Sequence, residues 1–149
     1  MMKKIVLMLF AVLFSFASCS SDDDSSLVGK DEKMEISVEN ATLDNSKSEA
    51  TLYVKVPATG NTFSLKVTNY ADWWIRSVSV KEQSNESYVS VPRTDNKKVS
   101  YKDWCNVTVT SNQAKCTISE NTSSVPRSIK IEMTVGDVFE TIYIVQEAK

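Results

Sequence analysis

Ile129-Lys130-Ile131-Glu132-Met133-Thr134-Val135, followed by Gly136-Asp137 and then by Thr141-Ile142-Tyr143-Ile144-Val145-Gln146, decides the fold of this chain. Apolar side chains recur at every second position, which in an extended backbone sends one face of a strand into a core and leaves the other in water. A Gly-Asp pair between two such runs is turn chemistry. The same period of two occurs at Ile36 and Val38, at Leu52, Val54 and Val56, and at Phe63, Leu65 and Val67. Between the runs lie Asp44-Asn45-Ser46, Ala58-Thr59-Gly60-Asn61 and Ser84-Asn85-Glu86-Ser87, all rich in turn formers. No window of a dozen residues carries a helical stripe. Eight or nine short strands in about 120 residues predict an all-β domain over residues 32–149, a two-sheet antiparallel sandwich of immunoglobulin-like architecture.

Upstream, the pattern changes character. Met1, Met2, Lys3 and Lys4 form a positive start, Ile5 to Phe16 an apolar run, and Phe16-Ala17-Ser18-Cys19 a small-residue approach to a cysteine. This resembles the lipobox of bacterial lipoproteins, with Phe16 where Leu is usual. Ile5 to Ala17 is too short to cross a hydrocarbon core, which takes about 20 apolar residues. The resemblance implies that residues 1–18 are a signal peptide that is removed, and that Cys19 is lipidated and anchors the chain to a membrane. Several acyl chains, at about 0.8 kcal/mol per buried methylene, make such an anchor effectively permanent. The acidic run Asp22-Asp23-Asp24 resembles the export signal of Bacteroidetes lipoproteins, and that resemblance implies a lipid-anchored protein of the outer membrane at the cell surface, with the periplasmic orientation left open. Residues 19–31, polar and Ser-rich, read as a flexible acidic tether.

Composition narrows the chemistry. Without Lys3 and Lys4 the mature chain carries 15 basic and 19 acidic side chains, a net charge of −4, which disfavours nucleic acid as a partner. The chain contains no histidine, so the commonest general base and metal ligand is missing. It also has no Gly-rich phosphate loop and no GxSxG elbow, and no spacing nominates a carboxylate pair. Asp22 to Asp24 suit a solvated tether better than a calcium site. The reading is therefore of a non-enzymatic protein without metal or cofactor.

A more specific pattern occupies the last third: Trp104, Val107-Thr108-Val109, Cys116-Thr117-Ile118-Ser119-Glu120-Asn121-Thr122, Pro126-Arg127-Ser128-Ile129 and Thr141 to Gln146. Upstream stand Gly60-Asn61-Thr62-Phe63, Val67-Thr68-Asn69 and Trp73-Trp74-Ile75. Together these are similar to the BACON family, the Bacteroidetes-associated carbohydrate-binding often-N-terminal domain, over about Ser37 to Gln146. The resemblance implies a sandwich fold and a carbohydrate-binding role.

Three sets of side chains call for roles. Arg127, after Pro126, stands where a guanidinium can bond carbonyls of the Asn121 to Ser124 turn, and Gln146 ends the last strand where it can satisfy backbone groups; both read as structural. If the chain reverses near Thr110-Ser111, Cys105 faces Cys116 and Val107 faces Ala114, so that in an oxidising compartment Cys105 and Cys116 form a cross-strand disulfide; the alternative is two buried free thiols. Zinc is disfavoured, because two sulfurs without His or a CxxC spacing make a poor tetrahedral set.

The aromatic residues carry the functional reading. Tyr70, Trp73 and Trp74 lie together, with Asn69, Asp72 and Arg76 as polar neighbours, and Tyr101 and Trp104 form a second cluster beside Lys102 and Asp103. An exposed ring suits the apolar C–H face of a pyranose, while a buried ring removes about 150–250 Å² from water. Adjacent Trp73 and Trp74 point to opposite faces of a strand, so one fills the core and one is exposed. Trp73 is the candidate for the exposed ring, a choice that the ambiguous parity with Arg76 and Val78 leaves open; Trp104 is assigned to the core. The candidate carbohydrate site is Tyr70, Asp72, Trp73, Trp74 and Arg76, for a polysaccharide or host glycan. The competing expectation is an immunoglobulin-like spacer or a protein-interaction module of an outer-membrane transport complex.

Overall fold

The computed structural model describes residues 32–47, 51–82, 87–93 and 95–149. The signal peptide, Cys19 and the acidic tether lie outside the described residues, as do Ser84 to Glu86 of one expected turn. Eleven strands and no helix occupy the described part. In chain order they are β1 (Ile36–Glu39), β2 (Thr42–Leu43), β3 (Leu52–Val56), β4 (Asn61–Val67), β5 (Trp74–Lys81), β6 (Val89–Ser90), β7 (Lys98–Tyr101), β8 (Cys105–Thr110), β9 (Gln113–Ile118), β10 (Arg127–Val135) and β11 (Val138–Gln146). They form a five-stranded sheet in the order β1-β4-β9-β8-β7 and a six-stranded sheet in the order β2-β3-β11-β10-β5-β6. The two extra strands relative to the expected eight or nine are two-residue pieces, β2 and β6, at the edges of the larger sheet.

Alternation builds the core as expected. Phe63, Leu65 and Val67 of β4 and Ala114, Cys116 and Ile118 of β9 are buried from one sheet, and Val54, Ile131, Ile142 and Ile144 from the other. Every pairing is antiparallel except β3 with β11, which run parallel from Leu52 beside Ile142 to Val56 beside Gln146. The long β10–β11 hairpin turns on Gly136 and Asp137, with Val135 opposite Val138. Gly136 has a φ of +55°, which glycine takes without a Cβ penalty. At Gly60 a Cβ would lie 2.5 Å from the Ile118 carbonyl oxygen, so the close crossing of that turn over β9 requires glycine.

One irregularity decides which tryptophan is outside. Against β10, Ser77 lies opposite Glu132 but Ile75 lies opposite Met133, so Arg76 is an extra residue on β5, a β-bulge. The bulge resets the two-residue period: Val80 and Val78 point inward, and so do Ile75 and Trp73. Trp73 is fully buried, whereas Trp74 and Arg76 face out from the six-stranded sheet. The assignment of Trp73 as the exposed ring is thus corrected, because parity counted without the bulge is off by one. Trp104 is in the core as expected.

The β8–β9 hairpin also differs from the expected register. Its turn is Ser111-Asn112, with Ser111 at a φ of +54°, one residue later than the sequence suggested. Val107 therefore faces Cys116, and Cys105 faces Ile118. The cysteines are diagonal neighbours, and such positions lie about 7–8 Å apart, beyond the roughly 4.4–6.8 Å between Cα atoms that a disulfide spans. Both thiols are free and buried, and the expected bridge gives way to its alternative. Loss of hydration pushes Cys105 up to about 12 and raises Cys116 as well, so neither offers a reactive thiolate.

Candidate functional site

The residues nominated from sequence divide into a structural set and an exposed set. Tyr70 is nearly buried, and its hydroxyl donates to the Glu32 carbonyl over 2.7 Å. Asn69 accepts from the Glu35 amide and donates to the Lys33 carbonyl, both at 2.9 Å, so this corner clamps the segment leading into β1. Asp72 accepts from the Trp73 amide at 3.0 Å and from the Lys97 ammonium, which also reaches the Trp73 carbonyl. These bonds hold the loop that delivers Trp73 to the core, and they leave Tyr70 and Trp73 unable to serve as a platform.

Tyr101 and Trp104 form a second structural cluster. Glu82, just after β5, accepts from the Trp104 indole at 2.8 Å, from the Tyr101 hydroxyl at 3.1 Å and from the Lys102 ammonium, tying the end of one sheet to the other. The Arg127 guanidinium lies 4.0 Å from the Trp104 ring centre and donates to the carbonyls of Ser119 and Glu120, both at 3.0 Å. Burial opposes ionisation of Glu82, but the hydrogen bonds from Lys102, Trp104 and Tyr101 outweigh it and hold the carboxyl below its ordinary 4.5. A carboxyl with a depressed folded pKa stabilises the fold above its unfolded pKa, and this contribution is lost as pH falls through the folded value. Glu82→Gln is therefore expected to cost about 1–2 kcal/mol near neutrality, with mutant and parent converging below about pH 4. Urea melts across that range check it; a constant difference at all pH values would contradict it.

The exposed aromatic surface is the outer face of the six-stranded sheet. Tyr53 of β3 and Tyr143 of β11 are partners in the parallel register, their rings stacked at 4.8 Å and 10°. Tyr88 meets Tyr143 edge-on at 5.8 Å, and its hydroxyl shares a 2.9 Å hydrogen bond with Ser128 Oγ on β10. Lys47 lies 5.4 Å from the Tyr53 ring centre. These groups line a cleft of about 460 Å³, closed on other sides by Lys81, Pro126 and Val145. That is within the range of small-ligand sites, roughly 300–1,000 Å³.

A second aromatic patch lies four residues back along β11, about 13 Å at the usual strand rise. There Phe139 is half exposed and stands in one cross-strand row with Thr134 and Trp74. The Arg76 guanidinium covers Phe139 at 4.5 Å, and the Lys97 ammonium covers Trp74 at 5.0 Å. Trp74 and Arg76, of the nominated residues, thus belong to this face. Tyr53, Tyr88 and Tyr143 went unnominated because they come from separate segments: the parallel β3–β11 pairing joins Tyr53 to Tyr143, and Tyr88 reaches Tyr143 from the other side, beside Ser128 of β10, and no local spacing announces either contact. The outer face of the other sheet contrasts with this one: its shallow groove presents Thr62, Ser64, Thr108, Thr110, Gln113 and Lys115, with no exposed ring.

No protein-family model and no curated protein matches the chain. A solved structure, the NMR structure of a protein from Bacteroides thetaiotaomicron, is similar over 82% of this chain and 96% of that one, with a TM-score of 0.56 and 22% sequence identity. That likeness bears on the fold, a two-sheet β-sandwich, which agrees with the architecture read from the sequence.

Proposed function

We propose that this chain is a non-catalytic, lipid-anchored surface module that binds carbohydrate on the outer face of its six-stranded sheet. The observation that carries the proposal is the Tyr53–Tyr143–Tyr88 cluster, three partly exposed rings around one cleft with hydroxyl and ammonium groups at its margin. Apolar ring surface and a few fixed polar groups are what a sugar needs, since its C–H face packs on a ring and its hydroxyls seek hydrogen bonds. The Phe139–Arg76–Trp74 patch about 13 Å away along β11 extends the same face, which suits a chain of several sugars better than a single one. Two further supports come from the sequence: the Ala17-Ser18-Cys19 lipobox, which would hold the domain at a membrane, and the resemblance to BACON domains.

The test is affinity electrophoresis of the full chain, in mild detergent, through gels containing plant and host polysaccharides. Retardation by at least one polymer is expected, with Tyr143→Ala weakening it about tenfold or more, as truncation of a central aromatic anchor does. Retardation unchanged by Tyr143→Ala would move the site elsewhere. A second reading, protein docking, is favoured by the half-exposed Phe139 and Val89. It predicts that Phe139→Ser abolishes a complex with an outer-membrane protein while leaving every polysaccharide indifferent.

A further inference from the structure

We propose that the tyrosine cleft selects acidic saccharides, those carrying carboxylate or sulfate groups; this rests on the carbohydrate reading above. The cleft is lined by Lys47, Lys81 and Arg127, and by no carboxylate among the described residues. The whole chain has 17 basic against 19 acidic side chains, so two lysine ammonium groups without an acid is a local departure from an acidic average. Their states differ in a useful way. Arg127 borders the cleft, but its guanidinium is turned to the inner side of the sheet, over the Trp104 ring and held by Gln146 and the carbonyls of Ser119 and Glu120, so it adds no free charge to the cleft. Lys47 and Lys81 form no ion pair among the described residues, so their ammonium groups remain to meet an anion. The nearby charges do not cancel this. Lys130, beside Tyr143 in the register, is neutralised by Glu132 at 2.8 Å. On the other side of Tyr53 lies a hollow that Lys47 also borders; of its acids, Asp44 is paired with Lys55 at 3.4 Å, and Glu147, which does not line the cleft, forms no ion pair with Lys47. A pyranose packed on the tyrosines would place an exocyclic anion at the cleft rim, between two flexible ammonium groups above low-dielectric ring surface, where a charge pair is less screened than in open water.

The experiment compares polygalacturonate with its methyl ester, which has the same sugar without the charge, against the full chain in detergent at low and high salt. The variants are K47Q/K81Q, which alters only side chains at the rim, and Y143A, with thermal melts to verify folding. The expected result is that the acid form binds about tenfold tighter than the ester, that K47Q/K81Q or high salt erases the difference, and that Y143A weakens both forms. Equal binding of acid and ester, unaffected by K47Q/K81Q but lost in Y143A, would overturn the charge selection and leave the carbohydrate reading standing. Binding of neither form, nor of any other acidic or neutral polysaccharide, would overturn both. Single-stranded DNA held as tightly as polygalacturonate, and insensitive to Y143A, would reduce the cleft to a general polyanion surface and also overturn the proposal.

Discussion

Replacing Trp73 by alanine is expected to destabilise the domain by about 3–5 kcal/mol, the usual cost of emptying a large aromatic site in a packed core. Trp73 is fully buried and sits with Ile75 on the inward side of the bulged strand. A domain of this size is stabilised by about 5–15 kcal/mol in all, so the variant would be marginal at room temperature. Its indole nitrogen is buried with no hydrogen-bond partner among the described residues, so Trp73→Phe forfeits volume but relieves a desolvated donor and should cost distinctly less than alanine. Trp74→Ala, one position away, should change stability by less than about 1 kcal/mol, since its ring lies outside under the Lys97 ammonium. Urea midpoints with unchanged slopes measure all three. Similar losses for Trp73→Ala and Trp74→Ala would mean that the bulge at Arg76 is misplaced.

Gln146→Leu is expected to cost about 2–4 kcal/mol although it replaces a polar side chain by an apolar one of similar size. Gln146 is buried, and its amide nitrogen donates to the carbonyls of Ser119, Pro57 and Ala58 at 2.8, 3.2 and 3.3 Å while its oxygen accepts from Arg127 Nε at 2.7 Å. Leucine would leave the Arg127 Nε–H without its acceptor beside the core and withdraw a donor from three carbonyls. Each of those carbonyls keeps another partner: Gly60 donates to Pro57, Asn121 to Ala58, and Arg127 to Ser119. The loss is therefore a few kcal/mol and not an outright failure to fold. The reading is specific to the network, so Arg127→Ala and Gln146→Leu should be non-additive in a double-mutant cycle. Strict additivity would show that the two side chains act independently.

What the sequence discloses follows from the range of the forces involved. Period-two burial is local, and it locates β1, β3, β4, β10, β11 and the Gly136-Asp137 turn. Arg127 and Gln146 were legible as structural for the same reason, since a guanidinium after Pro126 and a glutamine ending a strand have few local alternatives. The guanidinium grips the carbonyls of Ser119 and Glu120, just before the turn that was expected to hold it. What escaped depends on one-residue offsets. The bulge at Arg76 inverted Trp73 and Trp74, and the turn at Ser111-Asn112 moved Cys105 and Cys116 out of register. Neither offset leaves a mark in hydropathy, because both arise from pairing with a partner strand. The tyrosine cleft lay further from view, since Tyr53, Tyr88 and Tyr143 are brought together by sheet topology alone.

The parallel pairing of β3 with β11 also sets an order of assembly. Leu52 meets Ile142, a strand made about 90 residues later, and β3 has no other neighbour in its sheet than the two-residue β2. Loop closure over such a separation is costly and slow to repay, so contacts of this kind form late. Until β11 arrives, β3 is an open edge able to pair with any extended chain, a hazard in any incompletely folded state. The strand that completes the tyrosine pair is thus also the one that seals this edge, and a molecule able to display Tyr53 beside Tyr143 is one that has already finished folding there.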